Sequence, residues 1–184
     1  GTDQIITGAG DDAVYGEAGS DTFVDGGGDD FYDGGLPGFS TLSYANNPTG
    51  IIADYAAGTV DDDLDGNVDD TFVNIRQISG SQFNDEIYGD NNINRISGLG
   101  GDDLIYGYGG NDQLNGGAED DTMYGGSGND TFTPGEGNNT LFGEAGADRF
   151  RLEDGINVVD GGTGDDLADY DRNNSAIDIN LALG

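Results

Sequence analysis

The chain has 184 residues and a mass of 19.0 kDa, and its 5 Lys and Arg against 37 Asp and Glu give a net charge of −32. That excludes a nucleic-acid binder, since phosphate recognition needs clustered cations. Glycine makes up 36 residues, roughly a fifth against about 7% in ordinary proteins, while hydrophobic residues reach only 34%, a balance that signals disorder unless something besides an apolar core holds the chain.

With no Cys and no His there is no disulfide, no zinc-thiolate site and no histidine general base, and no apolar run of about 18 residues exists to enter a membrane. The chain opens on Gly1 and Thr2, without an initiator Met or signal peptide, and reads as a piece of something longer. A nine-residue period is present from the start. Gly1, Asp3 and Ile5 form the tail of one unit. Units beginning at Thr7, Gly16 and Asp25 put Asp12, Asp21 and Asp30 at the sixth place and Val14, Phe23 and Tyr32 at the eighth. The next unit, Gly34 to Ser43, is one residue longer and has Ser40 where Asp belongs. Residues 1–43 therefore read as a first repeat block.

Residues 44–79 lack the period but read as strands: TLSYA, then GIIADYA, then DTFVNIRQISGS, parted by Asn-Pro and acidic turns. Within this insert Asp61, Asp63, Asp65 and Gly66 have the D-x-D-x-D-G spacing that opens an EF-hand loop, followed by Asp69 at its ninth place. Phe72 stands at the twelfth place instead of Glu and no helical pattern flanks the loop. The run reads either as a separate calcium loop or as a solvated acidic turn.

From Gly80 ten units run without a gap to Asp169. Their sixth places hold Asp85, Asn94, Asp103, Asp112, Asp121, Asp130, Asn139, Asp148, Asn157 and Asp166. Their eighth places hold Ile87, Ile96, Ile105, Leu114, Met123, Phe132, Leu141, Phe150, Val159 and Ala168. At the observed hydrophobic content, ten apolar residues at one phase arise by chance at roughly 2 in 100,000, so the period outweighs the composition. Residues 170–184 then echo the start of the insert, aligning Tyr170 with Tyr44 and Gly184 with Gly58, and read as a second copy of it.

The units match G-G-x-G-x-D-x-U-x, with GGSGNDTFT from Gly125 a full match, and over about 130 residues the chain resembles the RTX, or hemolysin-type calcium-binding repeat, family. The resemblance implies an all-β fold: a right-handed parallel β-roll in which two units make one coil and calcium ions line both edges, with the β-rich insert between two roll blocks. It implies further ligands from loop carbonyls around Gly10, Gly19, Gly28, Gly101, Gly110, Gly128, Gly137 and Gly146. Phe83, Asn92 and Glu119 stand where such a glycine is expected. It also implies export from a Gram-negative bacterium by a one-step secretion machine, and so a secreted, extracellular or cell-surface protein.

The residues support this chemistry on their own terms. The last three places, x-U-x, suit a short strand whose central side chain points inward, and the first six form a turn. Coils stacked about 4.8 Å apart bring the sixth-place side chains of units n and n+2 together. Two carboxylates at that spacing repel unless a cation sits between them, and calcium, a hard ion taking six to eight oxygens, suits them. The expected pairs are Asp3 with Asp21, Asp12 with Asp30, Asp85 with Asp103, Asp103 with Asp121, Asp112 with Asp130, Asp130 with Asp148 and Asp148 with Asp166. Asn replaces one partner in Asn94 with Asp112 and in Asp121 with Asn139, and both in Asn139 with Asn157, which should be weakest. Binding should also fade at Ser40. Ordering nine residues costs several times what burial of one Leu or Ile returns, so folding is expected to depend on calcium.

Two functional classes follow. One is a structural and secretory module, unfolded during export and folded where calcium is plentiful, supporting an attached enzyme, toxin or adhesin elsewhere in the parent polypeptide. The other is an accessory module for a carbohydrate or cell surface, similar to those of alginate epimerases, for which Tyr15, Tyr88, Tyr106, Tyr108 and Tyr124 could form a strip. Arg76, Arg95, Arg149, Arg151 and Arg172 are few for a polyanion site. Catalysis by this chain is not expected, because its acids are committed by the period to the turns.

Overall fold

In the computed structural model, the described residues are 1–153, 155–169 and, for the backbone, 177–180. Among them there is no helix, and the strands fall into two sheets. The first sheet runs Gln4–Ile6, Thr22–Val24, Ser40–Ser43, Ile75–Ser79, Arg95–Gly100, Gln113–Ala118, Thr131–Gly135, Arg149–Arg151 and Leu167–Asp169. The second runs Ala13–Tyr15, Phe31–Asp33, Asp70–Val73, Thr59–Asp61, Ile52–Asp54, Glu86–Tyr88, Leu104–Tyr106, Thr122–Ser127, Thr140–Ala145, Asn157–Asp160 and Ile177–Asn180. Alternate nonapeptides feed alternate sheets, so one coil is two units long. Ile87 lies opposite Ile105, Leu114 opposite Phe132 and Met123 opposite Leu141, each pair 18 residues apart in parallel register. The molecule is a β-roll solenoid, as the resemblance of its nonapeptides implies.

The core is a double file of eighth-place side chains closed between the sheets. Ile87, Ile96, Ile105, Leu114, Met123, Phe132, Leu141, Phe150 and Val159 are all buried, and Phe132 stacks on Phe150 with ring centroids 4.7 Å apart. Ile5, Val14 and Ala168 are only partly buried. The ninth-place rings of the second sheet stack along the roll axis: Tyr88 on Tyr106 at 5.4 Å, Tyr106 on Tyr124 at 4.6 Å and Tyr124 on Phe142 at 4.7 Å, all within 9° of parallel.

Several strands are longer than the x-U-x triplet. Arg95–Gly100, Gln113–Ala118, Thr122–Ser127 and Thr140–Ala145 carry their pairing into the following turn, because the turns also stack in register, Leu99 on Gly117 and Gly126 on Glu144.

The insert does not interrupt the roll. In the first sheet Ser40–Ser43 pairs directly with Ile75–Ser79, which pairs with Arg95–Gly100. The pairing shifts register between Ser40 and Thr41, within the unit that carries one extra residue. In the second sheet Phe31–Asp33 pairs with Asp70–Val73, an antiparallel excursion follows through Thr59–Asp61 to Ile52–Asp54, and Glu86–Tyr88 resumes the parallel stack. Two details differ from the sequence reading. Thr59–Asp61 is a strand where only a turn is expected. DTFVNIRQISGS, expected as one segment, is two strands in opposite sheets, parted at Asn74, whose φ of 57° reverses the chain at a residue type that tolerates it. Asn74 fixes the turn by donating its side-chain amide to Asp33 Oδ1 at 2.8 Å. The echo of the insert at 170–184 lies outside the described residues, apart from the backbone of Ile177–Asn180, which pairs with Asn157–Asp160.

Phe132 is fully buried at the centre of the core file, so Phe132→Ala is expected to lower stability in calcium buffer by about 3 to 5 kcal/mol. Urea unfolding followed by circular dichroism measures this.

Candidate metal centre

Each sixth-place residue immediately precedes a strand, so parallel pairing sets its backbone amide beside the side chain one coil further on. Asp3 N donates to Asp21 Oδ1 at 2.8 Å and Asp12 N to Asp30 Oδ1 at 2.8 Å. Along the longer block the same bond joins Asp85 to Asp103, Asp103 to Asp121, Asp112 to Asp130, Asp130 to Asp148 and Asp148 to Asp166, at 2.7 to 3.0 Å. Asn94 N donates to Asp112 Oδ1, and Asp121 N to Asn139 Oδ1, both at 2.8 Å. All the expected neighbours are thus adjacent. The contact, however, is amide to carboxylate and not carboxylate to carboxylate, because stacking in register offers each acid the N–H of the coil before it.

That bond occupies one oxygen and leaves the other. Oδ2 of Asp21, Asp103, Asp112, Asp121, Asp130, Asp148 and Asp166 is buried with no hydrogen-bond partner among the described residues. A buried carboxylate oxygen without a donor is costly, and the chain cannot leave seven of them unanswered. Burial pushes the Asp103 carboxyl up to about 8, with the charges of Asp85 and Asp121 adding to the effect and the Asp85 amide opposing it. Burial likewise pushes Asp112, Asp121 and Asp148 up to about 7 and raises Asp85 and Asp130.

The turn glycines make room for this arrangement. The orphaned oxygen sits against the first residue of its own unit: a Cβ on Gly98 would fall on Asp103 Oδ2, and one on Gly107 would lie 2.6 Å from Asp112 Oδ2. Whereas in the first block Thr7 and Asp25 open units that keep Asp12 and Asp30, within the longer block, where the first place is not glycine, at Pro134 and Leu152, the sixth place holds Asn139 and Asn157. There the rung closes on itself, Asn139 Nδ2 donating to Asn157 Oδ1 at 3.0 Å. The fourth-place glycines Gly10, Gly19, Gly28, Gly101, Gly110, Gly128, Gly137 and Gly146 all have φ between 102° and 148°, as do Gly155 and Gly164 at the same place. A Cβ on Gly128 would land on the carbonyl oxygen of Gly110 one coil earlier, so these turns stack carbonyl against glycine. Of the substitutes, Glu119 takes a φ of 78°, whereas Phe83 and Asn92 do not enter the left-handed region. The donors gathered along each edge are carboxylate and carbonyl oxygens alone, which fit a hard divalent ion such as calcium and offer nothing to a soft one.

Four carboxylates near the insert are met by donors of the protein itself. The Tyr32 hydroxyl lies 2.7 Å from Asp30 Oδ2 and 2.9 Å from Asp25 Oδ1 and shares its one proton between them. The Tyr44 hydroxyl donates to Asp70 Oδ2 at 2.6 Å. Ser81 donates its amide to Asp85 Oδ2 and its hydroxyl to Asp85 Oδ1, each at 2.8 Å. At the longer unit Ser40 Oγ accepts from Asp21 N at 3.2 Å and donates to Gly34 O at 2.7 Å.

Two features escape the sequence reading. Asp70 continues the ladder past Asp30, accepting Asp30 N on Oδ1 at 2.8 Å. Its signal is the D-x-U of Asp70 and Phe72, out of phase inside the insert. A second ladder runs at the fifth place in the opposite sense, each side chain accepting the amide one coil later: Asn84 from Asp102, Asp102 from Asp120, Asp120 from Asn138, and Asn111 from Asn129. The frequency of Asn and Asp at that place is its signature.

In the insert, Asp61, Asp63 and Asp69 bring carboxylate oxygens within 4.8 Å of one another, and Asp65 stands apart from them. Asp65 caps the turn by accepting Asn67 N at 2.8 Å, while Asp61 accepts Leu64 N and Gly66 N at 2.7 and 3.0 Å, so the loop is closed by its own amides. A second group, Asp25, Asp62 and Asp70, is buried where the insert meets the first block.

No individual curated protein matches the chain. A family model described as the RTX calcium-binding nonapeptide repeat (4 copies) matches residues 6–36 and, in overlapping copies, 77–105, 88–123, 106–141, 124–159 and 133–168. These matches cover more than half of the sequence and coincide with the stretches where buried carboxylates recur every coil, and the chain therefore belongs to the RTX calcium-binding nonapeptide repeat family.

Proposed function

We propose that the chain is a calcium-gated structural module of a larger secreted bacterial protein: unfolded where calcium is scarce, folded after export, and serving as scaffold for an attached enzyme, toxin or adhesin. The observation that carries this reading is the row of seven buried carboxylate oxygens without partners. Asp21, Asp103, Asp112, Asp121, Asp130, Asp148 and Asp166 would hold the ions, with Asp3, Asp12, Asp30, Asp85, Asn94 and Asn139 as their ladder neighbours and the carbonyls of the glycine turns completing the shell. When bound, calcium supplies the divalent charge that offsets the repulsion along each edge. Extracellular modules with sites of this kind bind at about 10⁻⁴ to 10⁻³ M, so calcium levels outside the cell would load them and those inside would not. A chain carrying −32 charges gains the more from that neutralisation.

The aromatic strip favours a scaffold over a carbohydrate module. Tyr88, Tyr106, Tyr124 and Phe142 spend their faces on one another, leaving mainly ring edges to a sugar that would stack on a face.

Titrating calcium into chelated protein should produce a cooperative gain of β signal in far-UV circular dichroism that magnesium does not reproduce. A spectrum already complete in excess chelator would overturn the reading. Acid should imitate calcium in part. With carboxyls near 7 to 8 in the metal-free roll against 3.8 in the ordinary group, the folded chain binds protons that the unfolded chain does not, so metal-free stability falls as pH rises from about 4 to about 8. Chelated protein is expected to show more β structure at pH 5 than at pH 8, while the calcium midpoint moves to higher concentration at pH 5.

A further inference from the structure

Asp25 opens the third unit of the first block, Asp62 lies in the loop after Thr59–Asp61, and Asp70 is the ladder residue at the end of the insert loop. The fold draws one carboxylate oxygen from each to within 4.8 Å of the others. Oxygens sharing a calcium at 2.3 to 2.6 Å are separated by at most about 5 Å, so the three are close enough to share one ion. They are 9%, 8% and 0% exposed, and Asp25 and Asp62 border a cavity of about 520 Å³ lined also by Asp63, Asp69 and Asn47, with Asp70 behind them.

Asp62 distinguishes this group from an ordinary acidic patch. Its backbone is held on both sides: its amide donates to Asp69 Oδ2 at 2.9 Å, and its carbonyl accepts from Asn47 Nδ2 at 2.5 Å and Thr49 Oγ1 at 2.8 Å. Asp62 is more than nine-tenths buried, and its carboxyl receives no hydrogen bond from any N–H or hydroxyl among the described residues and lies against the Asp69 carboxyl. Asp25 and Asp70 are by contrast fixed in place, Asp25 by the Tyr32 hydroxyl and Gly27 N, Asp70 by the Tyr44 hydroxyl and Asp30 N. Two oriented carboxylates thus face a third that is locked in position and has nothing but acids to meet.

We propose that Asp25, Asp62 and Asp70 hold a divalent cation, calcium by its all-oxygen donors, at a junction site separate from the nonapeptide rungs that clamps the insert loop onto the first block. Asp25 and Asp62 belong to no rung, so the site can be removed while the seven orphaned ladder carboxylates stay intact.

The test counts calcium ions bound per chain by equilibrium dialysis, in wild type and in Asp62→Asn, Asp25→Asn and the ladder variant Asp121→Asn, with circular dichroism in saturating calcium to verify folding. The expected result is the loss of one ion in Asp62→Asn and the same one in Asp25→Asn, with the double variant losing no more. Either single variant suffices if the other fails to fold. Unchanged counts and affinities in Asp62→Asn and Asp25→Asn, alongside a reduced count in Asp121→Asn, would overturn the junction site and leave the ladder reading standing. A wild type that binds no calcium would overturn both.

Discussion

One buried oxygen per nonapeptide governs this molecule. Parallel stacking at an 18-residue repeat gives each ladder aspartate a single backbone donor, and a carboxylate has two oxygens. The remaining Oδ2 lies away from water and away from every N–H, as at Asp103, Asp112 and Asp130. The rest of the architecture can be read as accommodation of that atom: glycine at the first place because a Cβ would occupy its space, glycine at the fourth because the turns stack carbonyl on backbone, and carboxyls held well above their ordinary range in the absence of metal. Hydrophobic burial contributes a file of single side chains, which aligns the coils without answering the charge.

The roll was legible in the sequence through two routes: the apolar and acidic phases over ten units set the inward face, and the resemblance to the RTX family implied the two-unit coil from which the neighbour pairs follow. The chemistry of the rung was legible only in part. Periodicity brings Asp103 and Asp121 together, but the order of contact, amide to Oδ1 with Oδ2 left over, depends on the offset between strand start and side chain, which only coordinates supply. Asp70 was hidden for a different reason: its neighbour Asp30 is 40 residues away, and no fixed period links them. The D-x-D-x-D-G spacing misled in one respect, since Asp65 is drawn into a local turn while Asp69, four residues on, closes with Asp61 and Asp63.

The insert shows how a solenoid absorbs irregular sequence. Its first-sheet strand, Ile75–Ser79, keeps the stack, meeting the first block across a register shift between Ser40 and Thr41, while its second-sheet portion detours through a hairpin and returns. Asn74 makes this possible by sending one hydrophobic run into two sheets. Tyr44, Tyr55 and Phe72 are the insert's aromatic share of the common core, as Phe23, Tyr32, Phe132 and Phe150 are elsewhere.

The hydroxyls of Tyr32, Tyr44 and Ser81 carry a kinetic consequence. Coils of a solenoid touch only their neighbours, so order spreads outward from whichever coils are cheapest to form. Around the insert, Asp30, Asp70 and Asp85 are satisfied by donors covalently part of the chain, available before any ion arrives. If calcium gates folding as proposed, each added coil elsewhere waits on a metal. The nucleus would then sit around the insert, and zipping would proceed along two unequal fronts, a short one toward Asp3 and a longer one toward Asp166.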